Sequence, residues 1–379
     1  MNFRFTETQL MIRDTARQFA NDELAPTVLE RDEKEEFPYD AVKKMGELGF
    51  MGMMVSEQYG GAGLDTISYV LALEEIGKVD ASACVIMSVN NSLVCWGLES
   101  FGTEEQKQKY LADLASGKKL GAFALSEPEA GSDATNQRTT ATRDGDEYVL
   151  NGAKNFITNG AHADVVLVMA STDRSKGARG VSAFVVEKGT PGLSVAKKEK
   201  KMGIRSSDTV SLAFEDCRIP VVNRIGEEGF GIKLALKTLD GGRIGIATQA
   251  LAIAEASLDA SIKYSKERKA FDKPIADLQA IQFKLAEMAT DIEAARHLIL
   301  HAASLKDNKQ PYATEAAMAK LFASKISVRC ALEAVQIHGG YGYIREYHVE
   351  RFLRDSKITE IYEGTSEIQK MVISRALLQ

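Results

Sequence analysis

Cysteine is scarce in this 379-residue chain, and its four positions, Cys84, Cys95, Cys217 and Cys330, lie far apart with no CxxC pair. Neither a disulfide framework nor a zinc site is built that way, and buried, reduced thiols in a reducing compartment are expected. Proline is also rare, at seven residues, and there is no low-complexity tract and no repeat of fixed period. Disorder, collagen and secreted miniproteins are thereby excluded. Charge of one sign is not concentrated anywhere: the net charge is −6, with basic residues scattered among acidic ones, so no footprint for nucleic acid exists. No run of 18 or more uncharged apolar residues is read, so no membrane span is predicted. The start, Met1-Asn2-Phe3-Arg4-Phe5, carries neither an apolar signal core nor an arginine-rich transit segment, and a soluble intracellular protein is expected. HExxH, Cys/His clusters, GxSxG and the P-loop are all missing, and His338 and His348 have no partner at metal spacing. Metal catalysis, acyl-enzyme chemistry and phosphoryl transfer lose their usual parts.

What the chain does contain is 45% hydrophobic and 26% charged residues, the balance of an ordinary globular protein. Its length exceeds the roughly 250–300 residues at which one core stops growing, so two or three packed domains are predicted. From Thr6 to about Ser116 the pattern is helical. Thr6 with Gln9 reads as a capping box, Ile12, Ala16, Phe19 and Ala20 share a face, and Thr103 to Gln106 starts another helix in the same way. Glu57 to Gly63 is a glycine turn between helices rather than a dinucleotide fingerprint, because no strand precedes it.

From about Leu120 to Asn223 the period becomes that of short strands: Tyr148 to Leu150, Asp164 to Ala170, Val181 to Val186 and Val210 to Phe214. Asp144-Gly145-Asp146 signals a hairpin and Pro191-Gly192 a turn. After Gly226-Glu227-Glu228-Gly229 the helical period returns. Ile281, Leu285, Met288, Ile292, Ala295, Ile299 and Ala302 form one stripe, and Ala317, Leu321, Ser324, Val328, Ala331 and Val335 another. The predicted architecture is mainly α with a central β-domain: an N-terminal helical domain over residues 1–119, a barrel-like middle β-domain over 120–225, and a C-terminal four-helix bundle over 226–379. Stripes this long, rich in Ala and Ser, also suit a helix-to-helix subunit interface.

Four segments are too specialised for scaffold. In Ile361-Tyr362-Glu363-Gly364-Thr365-Ser366-Glu367-Ile368, one carboxylate sits in a turn where a helical pattern resumes, with Thr365 or Ser366 as the cap and Gly364 allowing close approach of a ligand. Glu363 is the candidate base; a surface Glu favoured by the helix dipole is the other reading. Phe123 to Asp133 runs from a strand into a loop of Pro, Gly, Ser and Asp whose amides and hydroxyls could hold a polar heterocycle or a phosphate, or simply turn at the surface. Leu150 to Gly160 is hairpin-like, with Phe156 and Thr158 on one strand face. A flat cofactor could lie on that ring beside that hydroxyl, the alternative being a core Phe and a cross-strand Thr. In Gln336 to Tyr343 a helix ends in several glycines, more than termination needs, which would free amides for an anion. By elimination, a base at Glu363 would need an organic cofactor.

Together these segments resemble the acyl-CoA dehydrogenase family from end to end. The resemblance is carried by Leu125-Ser126-Glu127-Pro128 through Gly131-Ser132-Asp133, Asn155 to Asn159, Arg268-Lys269-Ala270-Phe271, Gly339-Gly340 and Tyr362-Glu363-Gly364-Thr365, in that order. Met87 to Leu93, Phe214 to Pro220 and Lys357 to Ile361 are most similar to the short-chain, butyryl-type members. The resemblance implies FAD bound between the β-domain and the bundle. Leu125 and Ser126 would bond the flavin edge, Phe156 would flank the ring system and Thr158 would approach N5. Arg268, Phe271, Gln279, Gln336, Gly339 and Gly340 would reach the FAD of a neighbouring subunit, and Thr365 and Glu367 its adenosine-diphosphate half. Ser132, Asp240 and Arg243 would line the CoA passage, while Tyr362 and Gly364 would meet the substrate beside the base. A homotetramer, as a dimer of dimers, is implied, with electron-transferring flavoprotein as the electron acceptor, in a bacterial cytoplasm or a mitochondrial matrix.

The implied activity is α,β-dehydrogenation of a short-chain acyl-CoA to the trans-2-enoyl-CoA. Isovaleryl and long-chain members place the base at the position of Gly242; this chain has the short- and medium-chain arrangement. Cys84 stands where glutaryl-CoA dehydrogenase has an arginine, which disfavours a dicarboxylic substrate. Isobutyryl-type enzymes share the His338 to Tyr343 sequence, so a branched (isobutyryl or 2-methylbutyryl) or alicyclic substrate stays open. A flavin oxidase and a non-catalytic helical binding protein are further alternatives. Ala270 replaces a threonine of some relatives, which would remove one flavin contact.

Overall fold

The fold is described here from a computed structural model over residues 4–378. Of the N-terminal pentapeptide, Met1 to Phe3 lie outside the described residues, as does Gln379. Seven helices come first: α1 (Glu7–Phe19), α2 (Val28–Lys34), α3 (Tyr39–Glu47), α4 (Thr66–Val79), α5 (Ala81–Ser88), α6 (Trp96–Phe101) and α7 (Glu104–Ala115). Both capping boxes form, Thr6 with Gln9 and Thr103 with Gln106, each side chain serving the other's backbone N–H. Gln106 does more than cap, since its amide also donates to the carbonyls of Val222 and Arg224 and so ties α7 to the far end of the sheet.

The middle of the chain is one eight-stranded sheet. Its strands are β1 (Gly121–Ala124), β2 (Thr140–Asp144), β3 (Glu147–Thr158), β4 (Val165–Ser171), β5 (Val181–Glu187), β6 (Leu193–Lys198), β7 (Thr209–Pro220) and β8 (Arg224–Ile225), in the order β6-β7-β3-β2-β4-β5-β8, with β1 beside β4. Most pairs are antiparallel, but β1 and β2 each run parallel to β4. Gly145 turns the β2–β3 hairpin at φ +61°, as its sequence signal requires. One correction concerns Leu150 to Gly160, which is not a hairpin. Up to Thr158 it is the greater part of β3, paired with β7 except at two register shifts.

The final third holds α8 (Gly231–Glu267), a two-stranded turn of β9 (Lys269–Ala270) and β10 (Lys273–Pro274), and then α9 (Gln279–Asp307), α10 (Ala313–His338), α11 (Val349–Ile358) and α12 (Ser366–Leu377). The predicted stripe on α9 is buried from Met288 onward, while Ile281 and Leu285 are only half covered and Phe283 is exposed. One apolar core runs from Ala16 and Leu73 through Leu251 to Ile299 and Ala319, so the first and last helical blocks pack as a unit. A second core joins Val94 and Leu111 to Leu167 and Val185 on the sheet and to Ile246 on α8.

The reading of no long apolar run needs amendment. Ala81–Phe101 is a 21-residue stretch apolar enough to cross a membrane, yet 94% of its most apolar 18-residue window is buried inside the fold. It is a core segment whose Asn90 and Asn91 side chains bond backbone carbonyls of Met51 and Phe50. Between α5 and α6 it widens into a π-helical turn, Val89–Cys95, an irregularity that often marks a functional site. All four cysteines are buried and free.

Candidate active site

Between α11 and α12 the chain makes a tight turn in which Glu363 (φ +50°) and Gly364 (φ +95°) are consecutively left-handed. Glycine adopts this freely, but for glutamate it costs about 1–2 kcal/mol, so the surroundings must enforce it. They do so through the carbonyls. Lys320 Nζ donates to Gly364 O at 2.7 Å, and Gln369 Nε2 donates to the same oxygen at 2.8 Å and to Glu363 O at 3.3 Å. Thr365 caps α12 by accepting from Ile368 N, and Ser366 N closes the turn on Glu360 O at 3.0 Å. With both carbonyls drawn into the protein, the Glu363 N–H is left without a partner among the described residues.

The carboxylate itself points inward. Its Oε2 is buried and accepts no hydrogen bond, and it abuts α8 so closely that a Cβ added at Gly242 would collide with it and lie 2.8 Å from Leu93 Cδ2. Leu93 belongs to the π-helical turn, which gives that irregularity a place in the site. Burial lifts the Glu363 pKa to about 7, against the pull of Lys320 and Arg243. Tyr362 is anchored beside it by a hydrogen bond to Gln249 Oε1, while Gln249 Nε2 holds Ala81 O at 2.7 Å. One helical turn of α8 thus carries Asp240, Gly242 and Arg243 at the site. Arg243, 4% exposed, donates to Asp240 Oδ1 at 2.5 Å, and burial pushes the Asp240 carboxyl up despite that cation.

The edge of the β-domain meets this turn. Leu125, Leu93, Ile358 and Tyr362 share one apolar cluster. Ser126 O accepts from Asn155 N at 2.8 Å, which fastens the loop after β1 to β3. Beneath it lies Lys154, fully buried, whose ammonium bonds Glu127 Oε1 at 2.7 Å, Leu125 O at 3.1 Å and the Gln137 side chain. Burial draws Lys154 down to about 8 even with Glu127 beside it. Burial opposes ionisation of Glu127 too, but Lys154 and the amides of Arg138 and Thr139 hold its pKa below the usual range. This brace was not found from the sequence. A signal existed, since Lys154 has the same inward parity as Leu150 on β3.

Phe156 is 67% exposed at φ +60°, in the bulge between Lys154 and Ile157, and Thr158 follows half-buried while Ile157 is buried. The core-Phe half of the alternative is excluded, while Thr158 does pair across the ladder with Thr209 on β7. Ser132 stands exposed on the loop, with no bond to Asp240 or Arg243.

The remaining residues lie elsewhere. Phe271, 85% exposed at φ +55°, tops the β9–β10 turn, and Gln279, Gln336, Gly339 and Gly340 are exposed around it at the ends of α9 and α10. The Arg268 guanidinium lies 5.5 Å from the Tyr341 ring centre, joining the two segments. Gly339 is not a free anion ligand: its N–H donates to Gln336 O, and a helix C-terminus presents carbonyls. Thr365 and Glu367 start α12 on the Glu363 side. The 16 helical steps of α10 from Lys320 to Gln336 span about 24 Å, so a single protomer does not gather both groups around one point.

The residues present suit a flat, polar-edged cofactor: an exposed ring at Phe156 with a half-buried hydroxyl two residues on, a braced backbone edge at Leu125, and an orphaned buried carboxyl oxygen at Glu363. Comparison with known proteins agrees. Residues 6–118, 122–217 and 229–378 match the N-terminal, middle and C-terminal domains of acyl-CoA dehydrogenase. The short-chain specific acyl-CoA dehydrogenase of rat mitochondria is 54% identical over 98% of this chain and 90% of its own. The structure of butyryl-CoA dehydrogenase from Megasphaera elsdenii superposes with a TM-score of 0.99 at 50% identity, covering both chains completely. A chain from work on the electron transferring flavoprotein of Acidaminococcus fermentans and flavin-based electron bifurcation gives 0.99 at 54% identity, again over both full chains. PigA, solved with FAD and proline, gives 0.96 at 32% identity over 100% of this chain and 99% of its own.

Proposed function

The chain belongs to the acyl-CoA dehydrogenase family, and from that premise we propose that it oxidises a short-chain, butyryl-like acyl-CoA to the trans-2-enoyl-CoA, with Glu363 as the base. FAD supplies the acceptor for the hydride leaving the β-carbon. The observation that carries the reading is the Glu363 carboxylate, buried and unbonded at Oε2, with a pKa near neutrality. A carboxylate in water is far too weak a base for a thioester α-hydrogen, and one with an oxygen enclosed and its pKa raised toward 7 is a stronger one. The unpartnered Glu363 N–H is placed to donate to the thioester oxygen, and a preorganised donor of this kind contributes several kcal/mol as charge develops there. Asp240, Arg243 and Ser132 take the CoA passage, and Tyr362 and Gly364 flank the acyl group.

Leu125, Ser126, Phe156 and Thr158 hold the flavin, and Thr365 and Glu367 meet its adenosine-diphosphate half. Arg268, Phe271, Gln279, Gln336, Gly339 and Gly340 serve the FAD of a neighbouring copy, which their distance from Glu363 supports and which calls for the homotetramer. Electron-transferring flavoprotein is the proposed partner, supported by the Acidaminococcus relative.

Two features bear on the acyl group. Cys84 is fully buried and offers no cation to a second carboxylate. The His338 to Tyr343 segment that kept a branched substrate open sits at the far end of α10, with His338 stacked on Tyr264 at 4.2 Å. The test is anaerobic flavin bleaching with butyryl-, isobutyryl-, cyclic and glutaryl-CoA. Butyryl-CoA should bleach fastest and glutaryl-CoA not at all; bleaching by the branched thioester alone, or a colourless purified protein, would contradict the reading.

A further inference from the structure

Lys320 is a buried lysine that the reaction as described does not use. Its residue exposure is 0%, its ammonium forms no carboxylate salt bridge among the described residues, and its hydrogen bond goes to the Gly364 carbonyl at 2.7 Å. Such a group is costly to bury, because an ammonium loses its hydration and a single carbonyl returns little of it. A helix position of this kind would be filled more cheaply by leucine or methionine. Taking Glu363 as the base, we propose that Lys320 is its positioning residue: the ammonium pins the Gly364 carbonyl so that the Glu363–Gly364 turn stays left-handed, and its charge holds the Glu363 carboxylate ionised in a site that would otherwise protonate it.

The hydrogen bonds support the first half, and the ammonium's place on the residue next to Glu363 supports the second. The Gly364 carbonyl receives two side-chain donors, Lys320 from α10 and Gln369 from α12, and Gln369 also reaches Glu363 O. Gln369 is itself fully buried, so the clamp is shielded from water. Holding both carbonyls fixes the backbone from which the Glu363 side chain projects against Gly242 on α8. The charges around the base fit the second half. Lys320 and Arg243 pull the Glu363 pKa down against burial, and the groups acting on Lys320 are Glu363, Arg243, Glu360 and Glu367. Arg243 is already engaged by Asp240. From α4, Tyr69 faces the same region with its hydroxyl donated to Ser88 Oγ at 3.0 Å and is neutral, as is Tyr362 on the turn. Burial also lowers the Lys320 pKa, to about 8, so the cation is in place at neutral pH.

The experiment measures kcat/KM against pH for the flavin-loaded wild type, Lys320→Met, Lys320→Gln, Gln369→Leu and Glu363→Gln, with isotope-edited infrared titration of the Glu363 carboxylate as a readout independent of turnover. Lys320→Met should move the acid limb of the profile and the infrared titration up by roughly one pH unit, with a limiting rate lowered about tenfold or more by the loosened turn. Lys320→Gln keeps a donor without the charge and should show the shift with a smaller loss of limiting rate. Gln369→Leu removes a neutral donor and should lower the rate without moving the limb. An unmoved limb and carboxylate titration in both Lys320 variants, whatever the rate, overturns the proposal, as does an equal shift in Gln369→Leu. If Lys320→Met does not retain flavin, Lys320→Gln decides the same point. A Glu363→Gln enzyme with wild-type turnover would instead overturn the base assignment, on which this proposal rests, so the two failures are distinguishable.

Discussion

Among single residues, Glu363, the proposed base, has little room around it. Gly242 has no side chain because one would occupy the space of Glu363 Oε2, and Leu93 closes the same point. Gly242→Ala should therefore leave the fold and its colour intact while lowering kcat/KM by about tenfold to a hundredfold, as the carboxylate is displaced; steady-state rates beside a thermal melt check this. A second consequence concerns pH. The base works ionised, and kcat/KM reports the free enzyme, so activity should fall as pH drops through about 7, the value burial sets for Glu363. A limb near 4.5 would show a solvated carboxylate. Glu363 was legible in the sequence because a Tyr-Glu-Gly-Thr-Ser run is an unusual place for a lone acid. Lys320 and Lys154 were not, because a lysine on an amphipathic helix or an alternating strand reads as its solvent side, and only the tertiary neighbours reveal an inward one.

At the scale of elements, the strand that carries Phe156 depends on a buried ion pair. Lys154→Met would strand Glu127 in the interior, at a cost of about 3–5 kcal/mol, whereas replacing both partners with apolar residues of similar size should be much less harmful. The melting temperature and the flavin release rate should therefore worsen sharply in Lys154→Met and recover in large part in Lys154→Met with Glu127→Met. A double variant no better than the single would show that the pair does not brace the loop. The strands β3, β4, β5 and β7 were legible from their β-rich runs and turns, and both capping boxes from their spacing, whereas the exposed β6 and the two-residue β8 were not. The register shifts of β3 and the π-helical turn at Val89–Cys95 were not, since each inserts a residue without changing the local composition. Reading Leu150 to Gly160 as hairpin-like came from that insertion.

For the whole molecule, the helical, β, helical order followed from the change of period along the chain. What the sequence concealed is that the first and last helical blocks share one core, because a contact between Leu73 and residues of α8 to α10 leaves no trace in local pattern. It also could not say that Thr365 and Glu367 lie by the Lys320 end of α10 while Gln336, Gly339 and Gly340 lie at its other end, about 24 Å along the helix. In the assembled enzyme, Phe271→Asp should weaken FAD retention by roughly tenfold, as loss of an exposed aromatic anchor at an interface does, with no change in the pH limb of Glu363. Flavin content after dialysis, read beside the mass in solution, tests this; full retention in a monomer would separate the two groups for good.

The most direct measurement of the central claim is the single-turnover loss of flavin absorbance on anaerobic mixing with butyryl-CoA, wild type against Glu363→Gln. With Glu363 as the base, the variant stays yellow and binds the thioester but bleaches at least about a thousandfold more slowly. Bleaching at the wild-type rate would place the base elsewhere.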